Sequence, residues 1–216
     1  MPDAVFFDVD GVLLDTVRAK GDAFADAFEC SPGDRGLVMG LHMSNGGVPR
    51  APKIMMIFEA LHGRSATGDE VSALVDRFAE LAIERVLAAS EIPGASSALA
   101  ELSRHVPLHA VSATPFRELV RIFEARGWAG YFRSIHGIPP SKTLTVSNLL
   151  GEHGYEAAKC FMIGDSSQDR DAARANAVPF IFVSNDAEDG DPSDLEIVSD
   201  LFPLPSIVLS ARKAGR

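Results

Sequence analysis

Asp8 and Asp10 stand one residue apart at the end of an apolar run, in AVFFDVDGVLLDT (residues 4 to 16), with Gly11 directly behind them. Two carboxylates at that spacing repel each other and resist desolvation, so a fold that keeps them at the end of a buried segment needs a compensating cation. Residues two apart in extended backbone point the same way, which sets Asp10 beside whatever Asp8 touches. Three later segments carry side chains of matching character: Ser112 with Ala113 in VSAT, Lys142 in PPSK, and Asp165 with Asp169 in GDSSQD. Gathered carboxylates stay ionised around a cation, and all-oxygen ligation suits Mg2+ better than zinc. With its charge screened, Asp8 would attack a phosphoryl group and form an aspartyl-phosphate. Ser112 and Lys142 have the character to hold phosphoryl oxygens, and Asp10 that of a general acid and base for the leaving oxygen and then for water. Gly11 allows a tight turn and close backbone approach to phosphate.

These residues converge only if the elements between them alternate strand and helix. AVFF reads as a buried parallel strand because it is a short unbroken apolar run closed by polar residues and glycine. PLHAVSA (107 to 113), KCFMIGD (159 to 165) and PFIFVS (179 to 184) repeat that pattern, each preceded by a helical pattern. Helices are predicted over 115 to 126, with Phe116, Leu119, Val120 and Phe123 on one face and a stop at Gly127, and over 141 to 150 and 169 to 177. Such alternation implies a parallel sheet with helices on both faces, and ligands then bind at the carboxyl ends of the strands.

Residues 17 to 90 break the alternation, with helical periodicity and no intervening strand. TGDE (67 to 70) is a capping box, followed by Val71, Leu74, Val75, Phe78 and Leu81 on one face. The pattern predicts an all-helical insertion that ends near IPGA (92 to 95), leaving 1–16 and 91–216 as the catalytic core. NDAEDGDPSD (185 to 194) is expected to be a solvated loop before a short last strand and helix.

Taken together, DVDGVLLDT, the serine of VSAT, the lysine of PPSK and GDSSQD, in that order, resemble the four motifs of the haloacid dehalogenase superfamily, in its phosphatase branch with a helical cap. The resemblance implies a Rossmann-like core with a cap domain at 17–90. It makes Asp8 nucleophile and metal ligand, Asp10 a carbonyl ligand and acid/base, Asp165 a direct ligand, and Asp169 a direct or outer partner of Mg2+. One departure is Asn176-Ala177, where the family commonly has Ala-Gly before the next strand. Arg18 and Lys20 on the first cap helix, and Arg50 and Lys53 in the loop GGVPRAPK, are either surface charges or, for Lys20, Arg50 and Lys53, groups that meet an anionic substrate as the cap closes.

A net charge of -10 argues against nonspecific nucleic-acid binding, the compact basic cluster ARKAGR at the end reading as a solvated tail. Cys30 and Cys160 fit a reducing compartment, and no signal-like or membrane-spanning run is found, so a cytoplasmic monomer or homodimer is expected. His105 and His109 have helical ligand spacing, but Pro107 between them breaks the helix that would align them. The leading expectation is a phosphatase for a small phosphorylated metabolite, such as a sugar phosphate or phosphoglycolate. A β-phosphoglucomutase-like mutase is suggested by GVPR (47 to 50), although Lys20 stands where those mutases carry a histidine. Lys53 is a conceivable Schiff-base lysine of a phosphonoacetaldehyde hydrolase, but Asp10 speaks against that reading and against a dehalogenase. A noncatalytic domain that keeps the fold is the remaining alternative.

Overall fold

The computed structural model describes residues 1–184 and 190–210, and the chain divides into two compact units, 1–14 with 91–216 and 15–90. In the first, six strands form one parallel sheet: β1 (Ala4–Phe7), β2 (Leu108–Pro115), β3 (Ser134–Ile138), β4 (Cys160–Gly164), β5 (Phe180–Val183) and β6 (Glu196–Val198), ordered β3-β2-β1-β4-β5-β6. β1 lies at the centre, with Phe7 level with Ala110 of β2 and Ile163 of β4. Both of its faces are covered, which is why an unbroken apolar run suits it and all four of its residues are fully buried.

Ala4 and Phe6 belong to a core shared with Val146 and Leu149 of α7 (Lys142–His153) and Ala172 and Ala173 of α8 (Ser167–Ala175). Phe7, of opposite parity, meets the edge of Phe132, which packs on Phe123 of α6 (Phe116–Arg126). Among the described residues the unit also contains α5 (Ala95–Leu102) and α9 (Leu204–Ser210). α6 ends at Gly127 as predicted, and α7 and α8 fall within three residues of their expected limits.

Two expectations change. β3 was not foreseen, because SIHGI is an edge strand without an apolar run, three of its five residues being Ser, His and Gly. The acidic stretch is not simply solvated: residues 185–189 lie outside the described residues, but the Asp194 carboxylate is 1% exposed and takes a two-pronged bond from Arg170, at 2.8 and 2.9 Å. The tail ARKAGR also lies outside the described residues.

The second unit consists of α1 (Val17–Ala27), α2 (Arg35–Ser44), α3 (Arg50–His62) and α4 (Gly68–Ala88). The capping box of α4 is present: the Glu70 N–H donates to Thr67 Oγ1 at 3.3 Å and the Thr67 N–H to Glu70 at 2.8 Å. Phe78 is buried against Phe24 with ring centroids 3.9 Å apart, and Val71, Leu74, Val75 and Leu81 flank it. Arg50 and Lys53 were expected in a loop and instead begin α3. The two prolines of PRAP read as breakers, yet Pro49 is the N-cap and Pro52 sits in the first turn, where no helical N–H is required. Among the described residues no helix is long and apolar enough to cross a membrane.

Candidate active site

The sheet unit brings its acidic residues to one edge. Asp8 follows β1 directly, is 3% exposed, and is still held in the ladder by its N–H to the Ile163 carbonyl at 2.9 Å. Its Oδ1 accepts from the Val9 N–H at 2.7 Å and its Oδ2 lies 2.8 Å from Lys142 Nζ. Lys142 opens α7 behind the N-cap Ser141, and its buried ammonium lies 2.7 Å from Asp169 Oδ1 as well. Asp169 stands in the first turn of α8, fully buried, its Oδ2 accepting from the hydroxyl of Ser166, the N-cap residue. Asp165 follows β4, and one carboxylate oxygen each from Asp8, Asp165 and Asp169 lie within 4.8 Å of one another.

Backbone without side chains makes this crowding possible. Gly11 has φ +77°, and a Cβ there would stand 1.9 Å from Asp165 Oδ2. A Cβ on Gly164 would stand 2.3 Å from the Cβ of Asp169. Both positions therefore exclude any other residue as long as the carboxylates stay where they are.

The electrostatics are unbalanced. Burial pushes the Asp8 carboxyl well above the usual carboxylate range, Asp169 adds to the shift, and Lys142 opposes it. Burial and then Asp169 push Asp165 up to about 7, again against Lys142. Burial by itself pulls the Lys142 ammonium down, but Asp169 and Asp8 reverse this and raise it overall. One ammonium does not neutralise three carboxylates, so a further positive charge would relieve the site. The donor set is all carboxylate, the hard-oxygen chemistry that Mg2+ prefers, and the residues present fit such an ion.

Ser112, Ala113 and Thr114 sit where β2 slips against β3: Val111 pairs with His136 and Pro115 with Ile138, so β2 takes four steps while β3 takes two. Ser112 thus lies inside β2, where the sequence had set it at a strand end. Bulges of this kind free a strand locally and re-aim its side chains. Ser112 is buried and Ala113 half-buried, and the Thr114 N–H donates to Ser112 Oγ at 3.0 Å. Thr114 Oγ1 donates in turn to Asp10 Oδ2 at 2.9 Å, which ties Ser112 to Asp10. Asp10 is not one of the three clustered carboxylates.

Lys20, Arg50 and Lys53 belong to the helical unit and share no unit with the carboxylates. Lys53 is 4% exposed, with Nζ 3.4 Å from His42 Nδ1, while His42 Nε2 lies 2.9 Å from the Val17 carbonyl. Arg50 stacks its guanidinium 4.7 Å over Phe78. Both are therefore built into the packing of the unit, unlike ordinary surface charges.

Sequence reasoning gave no role to Ser166, Thr114 or His42. A Ser-x-x-Asp spacing at a helix start was the available signal for Ser166. Thr114 has the same strand parity as Ser112, but nothing in the sequence announced the bulge. His109 is in β2, its ring nitrogens 2.7 Å from Ser134 Oγ and 3.2 Å from the Tyr155 hydroxyl. Burial first, then His153 and His136, hold it down to about 4. Cys30 and Cys160 are both free thiols, and burial pushes Cys160 up to about 12.

Solved structures share this architecture. A predicted phosphoglycolate phosphatase from Haemophilus somnus is 17% identical, with 95% of this chain and 97% of that one covered and a TM-score of 0.75. The magnesium-bound HAD-hydrolase YfnB from Bacillus subtilis is 17% identical over 96% of this chain and 99% of its own, with a TM-score of 0.75. A variant of CbbY from Rhodobacter sphaeroides, in complex with xylulose 1,5-bisphosphate, is 17% identical over 93% and 95%, with a TM-score of 0.73. At such identities the likeness establishes the fold. No curated protein matches the chain significantly. The model of the haloacid dehalogenase-like hydrolases matches residues 2–176, well over half of the sequence, and the chain belongs to that family.

Proposed function

We propose that the protein is a Mg2+-dependent phosphatase that hydrolyses a small phosphorylated metabolite, a sugar phosphate or a phosphoglycolate-like acid, through an aspartyl-phosphate on Asp8. The observation that carries this reading is the Lys142 ammonium held 2.8 Å from Asp8 and 2.7 Å from Asp169, beside a third carboxylate, Asp165. Mg2+ would be held by the carboxylates of Asp8 and Asp165, with Asp169 as direct or outer partner and the main-chain carbonyl of Asp10. When bound, the ion screens the charge of Asp8 from an anionic substrate and withdraws charge from the phosphoryl oxygens.

The protein's own groups do the rest. A carboxylate oxygen of Asp8 attacks phosphorus, the bond to the ester oxygen breaks, and that oxygen takes a proton from the Asp10 carboxyl. Water then attacks the phosphorus of the acyl phosphate as Asp10 takes its proton, releasing inorganic phosphate and restoring Asp8. Ser112, the main chain at Ala113, and Lys142 hold the phosphoryl oxygens, and the charge of Lys142 offsets that of nucleophile and substrate. Gly11, expected to meet phosphate as well, gives its N–H to the Leu14 carbonyl at 2.8 Å and so supplies the tight turn rather than a donor. The helical unit serves as cap and selects the leaving group, with Lys20, Arg50 and Lys53 as its cationic residues. The sugar-phosphate and phosphoglycolate classes are supported by CbbY and the Haemophilus somnus protein, both similar in fold.

The test is phosphate release from para-nitrophenyl phosphate and from a panel of sugar phosphates and phosphorylated acids. Release is expected with Mg2+ and not with chelator, and Asp8→Asn is expected to lower turnover by about 10^4-fold or more. Turnover that survives in Asp8→Asn or in chelator rejects the reading, as does exchange between glucose phosphates without release.

A further inference from the structure

We propose that Thr114 is the positioning residue for the acid/base carboxyl of Asp10, fixing which of its oxygens carries the transferred proton. The inference rests on the phosphatase reading above, which gives Asp10 its role. Thr114 is 4% exposed and lies in the slipped stretch of β2 between Val111 and Pro115. Its bonds include Oγ1–H to Asp10 Oδ2 at 2.9 Å and N–H to Ser112 Oγ at 3.0 Å.

The chemistry follows from the direction of each bond. A hydroxyl that donates to Oδ2 uses that oxygen as acceptor, so the protonated carboxyl carries its hydrogen on Oδ1, in one rotamer. In the first half-reaction the Oδ1–H bond breaks as its proton moves to the departing ester oxygen, and the electrons of the P–O bond become a lone pair on that oxygen. In the second, Oδ1 accepts the proton of the attacking water, so the same oxygen is used in both directions and nothing is consumed. Ser112 Oγ, already accepting from the Thr114 amide, keeps its own hydrogen to donate to a phosphoryl oxygen. One residue thereby sets the phosphate-holding hydroxyl through its backbone and the proton donor through its side chain. Thr114→Val removes the hydroxyl bond to Asp10 and leaves the backbone bond to Ser112.

A positioned general acid matters most when the leaving group is basic. The experiment measures kcat/KM, which reports the steps up to departure of the leaving group, for dinitrophenyl, para-nitrophenyl and phenyl phosphate with Mg2+. Thr114→Val is expected to lose about 10- to 100-fold on phenyl phosphate and to stay within about threefold of the native enzyme on dinitrophenyl phosphate. Thr114→Ser, which keeps the hydroxyl, is expected to restore the native dependence. Losses that are equal across the series, or no loss at all, overturn the proposal, because a merely structural threonine would affect every ester alike. A crystal structure of metal-free Thr114→Val is expected to show the Asp10 carboxyl displaced, and a carboxyl left in place likewise overturns it. Native enzyme that fails to release phosphate from all three esters sinks the phosphatase reading itself, an outcome distinct from a flat dependence in the variant.

Discussion

Asp8 in the sheet unit and Asp26 in the helical unit are both ringed by charge, yet their carboxyls are driven in opposite directions. Asp26 accepts hydrogen bonds from Arg85 and Arg35, and these hold it below the usual carboxylate range. Asp8 is buried beside Asp169 and Asp165 with Lys142 as its cation, and it is pushed well above that range. The Asp26 carboxylate has its charge met by two arginines of its own unit. The sheet unit holds an excess of buried negative charge that its own residues leave unresolved, the mark of a place where something else is meant to bind.

The contrast breaks most visibly at the cations. Lys142→Met strips the buried carboxylates of their ammonium and is expected to destabilise the metal-free protein by about 3–5 kcal/mol. For a chain of this size that lowers Tm by roughly 10 °C. Asp26→Asn, at a half-exposed cluster, is expected to cost about 1 kcal/mol or less, and less still in high salt. Thermal melts of the two variants settle the matter, and comparable losses would mean that the two clusters do the same job.

Mg2+ sharpens the same contrast. At a hundredfold excess over its Kd the ion is expected to stabilise the native protein by about 2.7 kcal/mol, and equally in Asp26→Asn. The pH dependence carries the sign. Asp165, raised to about 7, keeps a proton in the folded state that the unfolded chain has already released above about 4, so its own contribution to metal-free stability falls as pH rises through that window. Asp26 works the other way: its lowered value gives stability that is present above about 4 and is lost as pH falls. Melting curves in chelator between pH 4 and pH 8 check this through the difference between native protein and Asp165→Asn, because His109, held down to about 4, raises the Tm of both as pH rises. A native Tm that climbs relative to that of Asp165→Asn toward pH 7 would contradict it.

The smallest effect separates strain in the scaffold from charge in the site. Ala177, exposed after α8, has φ +54°, a left-handed conformation that costs an L side chain free energy. It is the position where the family commonly has glycine, so Ala177→Gly is expected to stabilise by about 0.5 kcal/mol. Denaturant titration should show the gain, and Mg2+ affinity should be unchanged.

Much of this was legible in the residues. AVFF, the capping box at Thr67 and Glu70, and the stop at Gly127 declare themselves locally, because burial on both faces, orphan helix donors and left-handed turns each demand particular residue types. Asp8, Lys142, Asp165 and Asp169 were found as chemically suited residues in separate segments. Other features were illegible for equally physical reasons. β3 is an edge strand that needs no apolar run, and Pro52 looks like a breaker until its place in the first turn is known. Thr114 gained its contacts from a register slip against a neighbouring strand. The sequence alone determined that Asp8 and Asp165 follow buried strands, since that follows from local pattern, but it set Ser112 at a strand end where the structure has it inside β2. Tertiary structure decided which side chains share a charge, because the distances from Lys142 to Asp8 and Asp169 depend on how strands and helices far apart in the chain are packed.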